Sequence, residues 1–488
     1  MLFRSSFDAA SNTVRTSSKI RYAPDSANTE YRFCNVREAL TRPGEFYYDR
    51  AEHAVYYLPR KRNAAPEAEV PVAGELVRFL PGCRNVTLEN LVFRCAGGYF
   101  PRNLPDFDLR SGLAPVKNEI CMTHSVPALD KPEYQSGQAA ANVPGILIAE
   151  GAMDCTLRRC TVELAGWYGL SLGAGCARFR VRNCTFRSLG AGGIRAGGAP
   201  ADPAHHLVFT DNHIHDCGKV FPSACGILLT HARNNLVDHN HIHDLFYTGI
   251  SCGWVWGFGE SASAENRIVG NLIHDLGQGL LSDMGGIYTL GIQPGTRVAE
   301  NRVFNVTSRC YGGWGLYTDE GSSHIVIEHN IVYDCFCEGF HQHFGRENIV
   351  RNNIFMDGGQ AGAVFSVDPS PTGYASPGEN HSHGMNFFHN LVIQTGKPCV
   401  RLNERFAPER IVLDGNLYCD LSGKAPTFAL GKRIVRLAAW RKLGLDLHSV
   451  VVHDPGVRDA ARRDFRLAPD SILREYGFRD IPEPGCRK

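Results

Sequence analysis

Short alternating runs of apolar and polar residues recur along the middle of the chain, each opened by asparagine. The phrase reads NHIHD at Asn212 and Asn240, NLIHD at Asn271, NRVFN at Asn301 and NIVYD at Asn330. It continues as NIFMD at Asn353, NLVIQ at Asn390 and NLYCD at Asn416, with a weaker NCTFR at Asn183. Subtracting successive positions from Asn183 to Asn353 gives intervals of 29, 28, 31, 30, 29 and 23 residues. A period of this size, with two-residue alternation and no helical pattern, predicts a β-solenoid. The expected fold is all-β: a right-handed parallel β-helix.

The alternation assigns faces. One inward column is Ile214, Ile242, Ile273, Val303, Val332 and Phe355. A second, three residues before each asparagine, is Phe209, Val237, Ile268, Val298, Ile327 and Val350. The asparagines are placed at the bend between two strands, where left-handed backbone and side-chain hydrogen bonds suit them, and stacked they form a ladder. A third strand in each coil opens with glycine, from GLSL at Gly169 to GISCGW at Gly249, GIYTLG at Gly286, GLYTDE at Gly315, GFHQHF at Gly339 and GAVFSV at Gly362. Its second position runs Ser251, Tyr288, Tyr317, His341 up the stack. Its fourth runs Gly253, Leu290, Asp319, His343. These outward columns form one patch over neighbouring coils about 4.8 Å apart.

The ends depart from the repeat. A hairpin is expected at residues 44–60, a polar stretch at 61–69, a long insertion at about 98–144 and a short amphipathic helix at 434–445. The expected division is a β-rich segment at 1–80, the β-helix at 81–425 and a C-terminal extension at 426–488 that packs on it.

Composition narrows the function. The 488 residues carry 51 basic and 50 acidic side chains. That balance gives no case for nucleic acid or an anionic membrane. No apolar run reaches membrane-spanning length. The 17 cysteines form no CxxC pair and sit in strand-like runs, so they read as reduced core residues.

Against this background a few side chains stand out. His213, His215, His241, His243 and His274 flank inward isoleucines, and stacked imidazoles are expected in preference to a metal site. The recurring Asp216, Asp244, Asp275, Asp334, Asp357 and Asp420 read as turn caps. Asp283 and Asp319 differ because they break the repeat: at the offset of Asp283 the next coils carry Gly312 and Phe336. Two carboxylates beside Tyr288, Tyr317, His341 and His343 make the minimal set for glycoside cleavage, with the tyrosines and histidines as substrate-binding groups. Glu320 turns away by alternation and ranks below Asp319. Trp254 and Trp314 belong to an aromatic group suited either to stacking on sugar faces or to packing under loops.

The phrases DMGGIYTLG, WGLYTDEGSS and GFHQHFGRENIVRNN resemble the right-handed β-helix glycoside hydrolases of family 141, which include an α-L-fucosidase and a xylanase. PGEFYYDRAEHAVYYLP at 43–59 and DFRLAPDSILREYGF at 464–478 extend the resemblance over nearly the whole chain. It implies catalysis by two aspartates, Asp283 and Asp319 by motif, on an oligo- or polysaccharide; separately, no cofactor, no metal and a monomeric chain are expected. Such relatives are usually secreted or periplasmic. Here no signal segment opens the chain and the hairpin comes early, as in a shortened member. Two rival readings remain: a polysaccharide lyase on the same scaffold, and a non-catalytic carbohydrate-binding solenoid.

Overall fold

A computed structural model describes residues 4–8, 10–11, 13–16, 35–49, 51–61, 67–97, 139–366, 384–403 and 411–487. Most of the expected insertion at 98–144 lies outside them. Three long sheets of 13, 12 and 11 strands run the length of the coil, and within each the strands of successive turns are neighbours. Pairing is parallel from coil to coil, so each sheet repeats one strand of the phrase. The apolar columns stack in register, Ile214 on Ile242 on Ile273 and Phe209 on Val237 on Ile268, all fully buried.

Buried polar groups must find partners, and the asparagine ladder provides them. Asn271 Nδ2 donates at 2.9 Å to Asn301 Oδ1, Asn301 does the same to Asn330, and each also reaches a backbone carbonyl of the coil below. The ladder runs from Asn212 to Asn416 and ends on the buried carboxylate of Asp446, which also accepts from Trp440 Nε1 and Tyr418 Oη. The expected bend residue is off by one. The left-handed positions precede the ladder, at Asp211 (φ 56°), His239 (52°), Glu300 (58°) and His329 (55°). Asn183 is itself such a residue (φ 53°), and Cys184 takes its ladder place, its N–H donating to Asn212 Oδ1. The chain turns sharply before the asparagine, which leaves the ladder side chain free to point inward.

Glycine opens the third strands for a packing reason. A Cβ on Gly286 would meet Val303 Cγ1 at 2.2 Å, and one on Gly315 would meet Val332 Cγ1 at 2.1 Å. The inward branched side chains of the phrase strand occupy that space.

The ends are partly as expected. Phe46–Asp49 and Ala54–Tyr57 form an antiparallel hairpin. The helix expected at 434–445 is present but shorter, at Leu437–Arg441, because its first positions belong to a strand, Arg433–Arg436, paired antiparallel with Thr427–Leu430. That strand closes the open end of the 13-stranded sheet, and edge pairing outweighs local helical pattern. All 15 described cysteines are free and most are buried. Among the described residues no helix is long and apolar enough to cross a membrane.

Candidate active site

The Gly-initiated strands Gly285–Thr289, Trp314–Thr318 and Glu338–Gln342 align Tyr288 with Tyr317 and Tyr317 with His341. This is the outward column read from the sequence. It is covered: Tyr288 is 1%, Tyr317 4% and Trp314 7% exposed. The tyrosines thus form a wall, and the accessible edge is made by Asp283, His341 and His343, which are partly exposed.

Asp319 follows its strand directly and lies buried among donors. Tyr288 Oη donates to its Oδ2 at 2.6 Å, and His343 Nδ1 lies 2.8 Å from its Oδ1. Asp283 sits one coil away in left-handed backbone (φ 58°), a conformation aspartate tolerates, with its N–H donating to Tyr311 O. Tyr317 Oη donates to Asp283 Oδ1 at 3.2 Å, and Tyr317 is also among the groups that lower the Asp319 pKa. One phenol therefore acts on both carboxyls.

The surroundings separate them electrostatically. Burial and the Asp319 charge push the Asp283 carboxyl up to about 6, against the pull of Tyr317 and His343. Burial opposes the Asp319 charge too, yet hydrogen bonds from His343, Tyr288 and Tyr317 hold that carboxyl below its ordinary range. Burial disfavours the His343 imidazolium, but Asp319, then Glu320 and Asp283, raise its pKa above the usual value. The Tyr247, Tyr288 and Tyr317 phenols are pushed well above theirs by burial and these carboxylates, so they act as donors.

Trp314 stacks on His341 at 4.2 Å between ring centroids, lies 4.2 Å from Tyr317, and donates Nε1–H to Glu338 Oε2 at 2.5 Å. Two expected members sit apart. Trp254 is buried edge-on against Trp256 in the core, and no hydrogen bond or ring contact among the described residues joins it to either aspartate. Glu320 accepts from Gly257 and Gly291 through its backbone carbonyl, and its charge is still felt by His343, so it has not turned wholly away. Sequence reasoning missed Glu338, Tyr247 and Tyr311. Glu338 is 3% exposed and Tyr247 Oη donates to Asp283 O at 2.8 Å. Tyr311, half exposed, stands against Trp314 and hydrogen-bonds Asp283. Glu338 carried the same signal as Asp283: an acid where adjoining coils have Trp314 and Ala361.

A family model described as "Right handed beta helix region" matches residues 144–282 and 255–370. The chain is a right-handed parallel β-helix. A solved glycoside hydrolase matches at 22% identity with a TM-score of 0.49, over 65% of this chain and 57% of that one. This chain therefore spans little more than half of that protein. XylC in complex with xylose matches at 12% identity, covering 63% of this chain and 49% of that one, TM-score 0.36. A mannuronic acid specific polysaccharide family 6 lyase from human gut microbiota matches at 13%, covering 63% and 82%, TM-score 0.36. No curated protein matches.

Proposed function

We propose that this protein is a glycoside hydrolase of the family 141 kind, acting on a plant or microbial polysaccharide through Asp283 and Asp319. The observation that carries the reading is the split between two carboxyls acted on by one tyrosine. Asp283, held up to about 6, keeps its proton into weakly acidic solution, whereas Asp319 is ionised. A retained proton beside a fixed negative charge is the requirement for breaking an acetal. Asp283 delivers its proton to the leaving glycosidic oxygen. Asp319 is the base or nucleophile against which the oxocarbenium-like carbon develops, and water completes the hydrolysis. Tyr288 and Tyr317 stay neutral and hold the Asp319 charge in place; Trp314 and His341 flank the sugar path.

A lyase reading rests on a different observation: His343 beside Asp319 and Tyr317 beside Asp283 are groups of the kind that serve as base and acid in an elimination. Among the described residues no lysine or arginine hydrogen-bonds Asp283 or Asp319; His343, whose pKa is raised, is the basic group beside them. Incubation with neutral and uronate-containing polysaccharides separates the two. New reducing ends without an ultraviolet-absorbing product support hydrolysis, an unsaturated product supports the lyase, and glycan binding without turnover supports a carbohydrate-binding solenoid.

A further inference from the structure

On the 12-stranded sheet, away from the aspartates, the histidine columns do more than stack. His215, His243 and His274 form one column, with centroids 5.1 and 5.0 Å apart and planes within 6°. His213 and His241 form a parallel column, 4.8 Å apart. The columns meet edge to edge: His213 Nε2 lies 2.7 Å from His243 Nε2, and His241 Nε2 lies 2.8 Å from His274 Nε2. Ligand atoms of His213, His241 and His243 all fall within 4.8 Å of one another.

Stacking alone explains the ring planes but not the orientation of the other nitrogens. His243 Nδ1 lies 2.7 Å from Asp244 Oδ2, and His274 Nδ1 lies 2.7 Å from Asp275 Oδ2. A ring that donates Nδ1–H to a carboxylate presents an unprotonated Nε2, the orientation that metal-binding histidines take. His215, by contrast, lacks this arrangement, because Asp216 is engaged by Ser188 and Lys219.

We propose that His213, His241 and His243 bind a divalent transition-metal ion of the zinc or copper kind. Three imidazoles without a thiolate suit these ions, whereas magnesium and calcium prefer oxygen. Around a tetrahedral ion with bonds of ~2.0–2.1 Å, donor nitrogens stand about 3.3 Å apart. The His213–His243 pair therefore opens by roughly half an ångström, while the widest pair, up to 4.8 Å apart, closes by about 1.5 Å through ring rotation. His213 and His241, whose Nε2–H groups face His243 and His274, shift their protons to Nδ1. The fourth position falls to His274 or water. The site pins adjacent coils from outside, as the asparagine ladder does from inside.

The test is competition for Zn²⁺ and Cu²⁺ between the full chain and a chromophoric chelator, with Mg²⁺ as the control ion. One ion per chain at micromolar free Zn²⁺ is expected, with no Mg²⁺ uptake. His243→Phe keeps an aromatic ring in the stack, so it retains the fold while removing a ligand, and it should weaken binding at least about tenfold. Asp244→Asn should weaken it by about tenfold as well. His448→Ala, at an exposed histidine elsewhere, should change nothing. Absence of Zn²⁺ and Cu²⁺ binding in the wild type, or equal affinity in the wild type and His243→Phe, overturns the proposal.

Discussion

His343 Nδ1 lies 2.8 Å from Asp319 Oδ1, joining residues on successive coils that the chain separates by 24 positions. The contact neutralises a buried carboxylate within the wall of the site. It leaves Asp283 as the group whose charge is least compensated, and so as the one that holds a proton.

That assignment fixes a pH profile. The raised pKa of Asp283 means the acid is lost as pH rises through about 6, so kcat/KM should fall tenfold per unit above that point. On the acid side Asp319 titrates below its ordinary value of 3.8, so activity should persist to lower pH than a free carboxylate would allow. A rate profile measured across the acid and neutral range checks both limbs.

Removing one donor should move one limb. Tyr288→Phe deletes the 2.6 Å bond to Asp319. A hydrogen bond to a charged group contributes roughly 1.5–3 kcal/mol, and about 1.4 kcal/mol corresponds to one pKa unit. The acid limb should therefore move up by about one to two units while the limb near 6 moves little.

Asp283 should also burden stability. Because its folded pKa is raised, the folded state gains from its proton below 3.8 and loses that gain as pH rises through about 6. Asp283→Asn removes the titration. Its Tm should exceed the wild-type value by roughly 1–3 °C at pH 8, with no gain at pH 4, as read by calorimetry.

The two scaffold devices should fail differently. Asn301→Ala removes the acceptor for Asn271 and the donor to Ile268 O and Asn330, leaving several buried groups unpaired, at about 1–3 kcal/mol each. Gly315→Ala drives a methyl to 2.1 Å from Val332 Cγ1. It should cost about 1–3 kcal/mol and displace the strand carrying Tyr317. Gly315→Ala with Val332→Ala should recover part of the loss in denaturant unfolding, whereas no apolar replacement restores the ladder.

Much of this was readable in the sequence, because a solenoid turns period into proximity. The alignment of Tyr288, Tyr317 and His341 followed from counting along glycine-initiated strands, and Asp283 and Asp319 stood out because they break the repeat. Glu338 escaped within a strand, and the rest lay between strands. Tyr247 and Tyr311 come from bends whose path no periodicity sets, and Trp254 is drawn into the core by its apolar area. The ladder was displaced by one residue at Asn183 because asparagine suits both the left-handed position and the buried one. The terminal strand Arg433–Arg436 was read as helix because local pattern says nothing of an open sheet edge.

The central claim, that Asp283 is the acid and Asp319 the fixed charge, is tested most directly by comparing their asparagine variants on two substrates. One is the natural polysaccharide. The other is an aryl glycoside of the same sugar, whose leaving group departs without a proton. Asp283→Asn, shown to be folded, should lose about 10²–10⁴-fold on the polysaccharide yet retain most of its rate on the aryl glycoside. Asp319→Asn should lose both. Wild-type turnover of the polysaccharide by either folded variant would contradict the account.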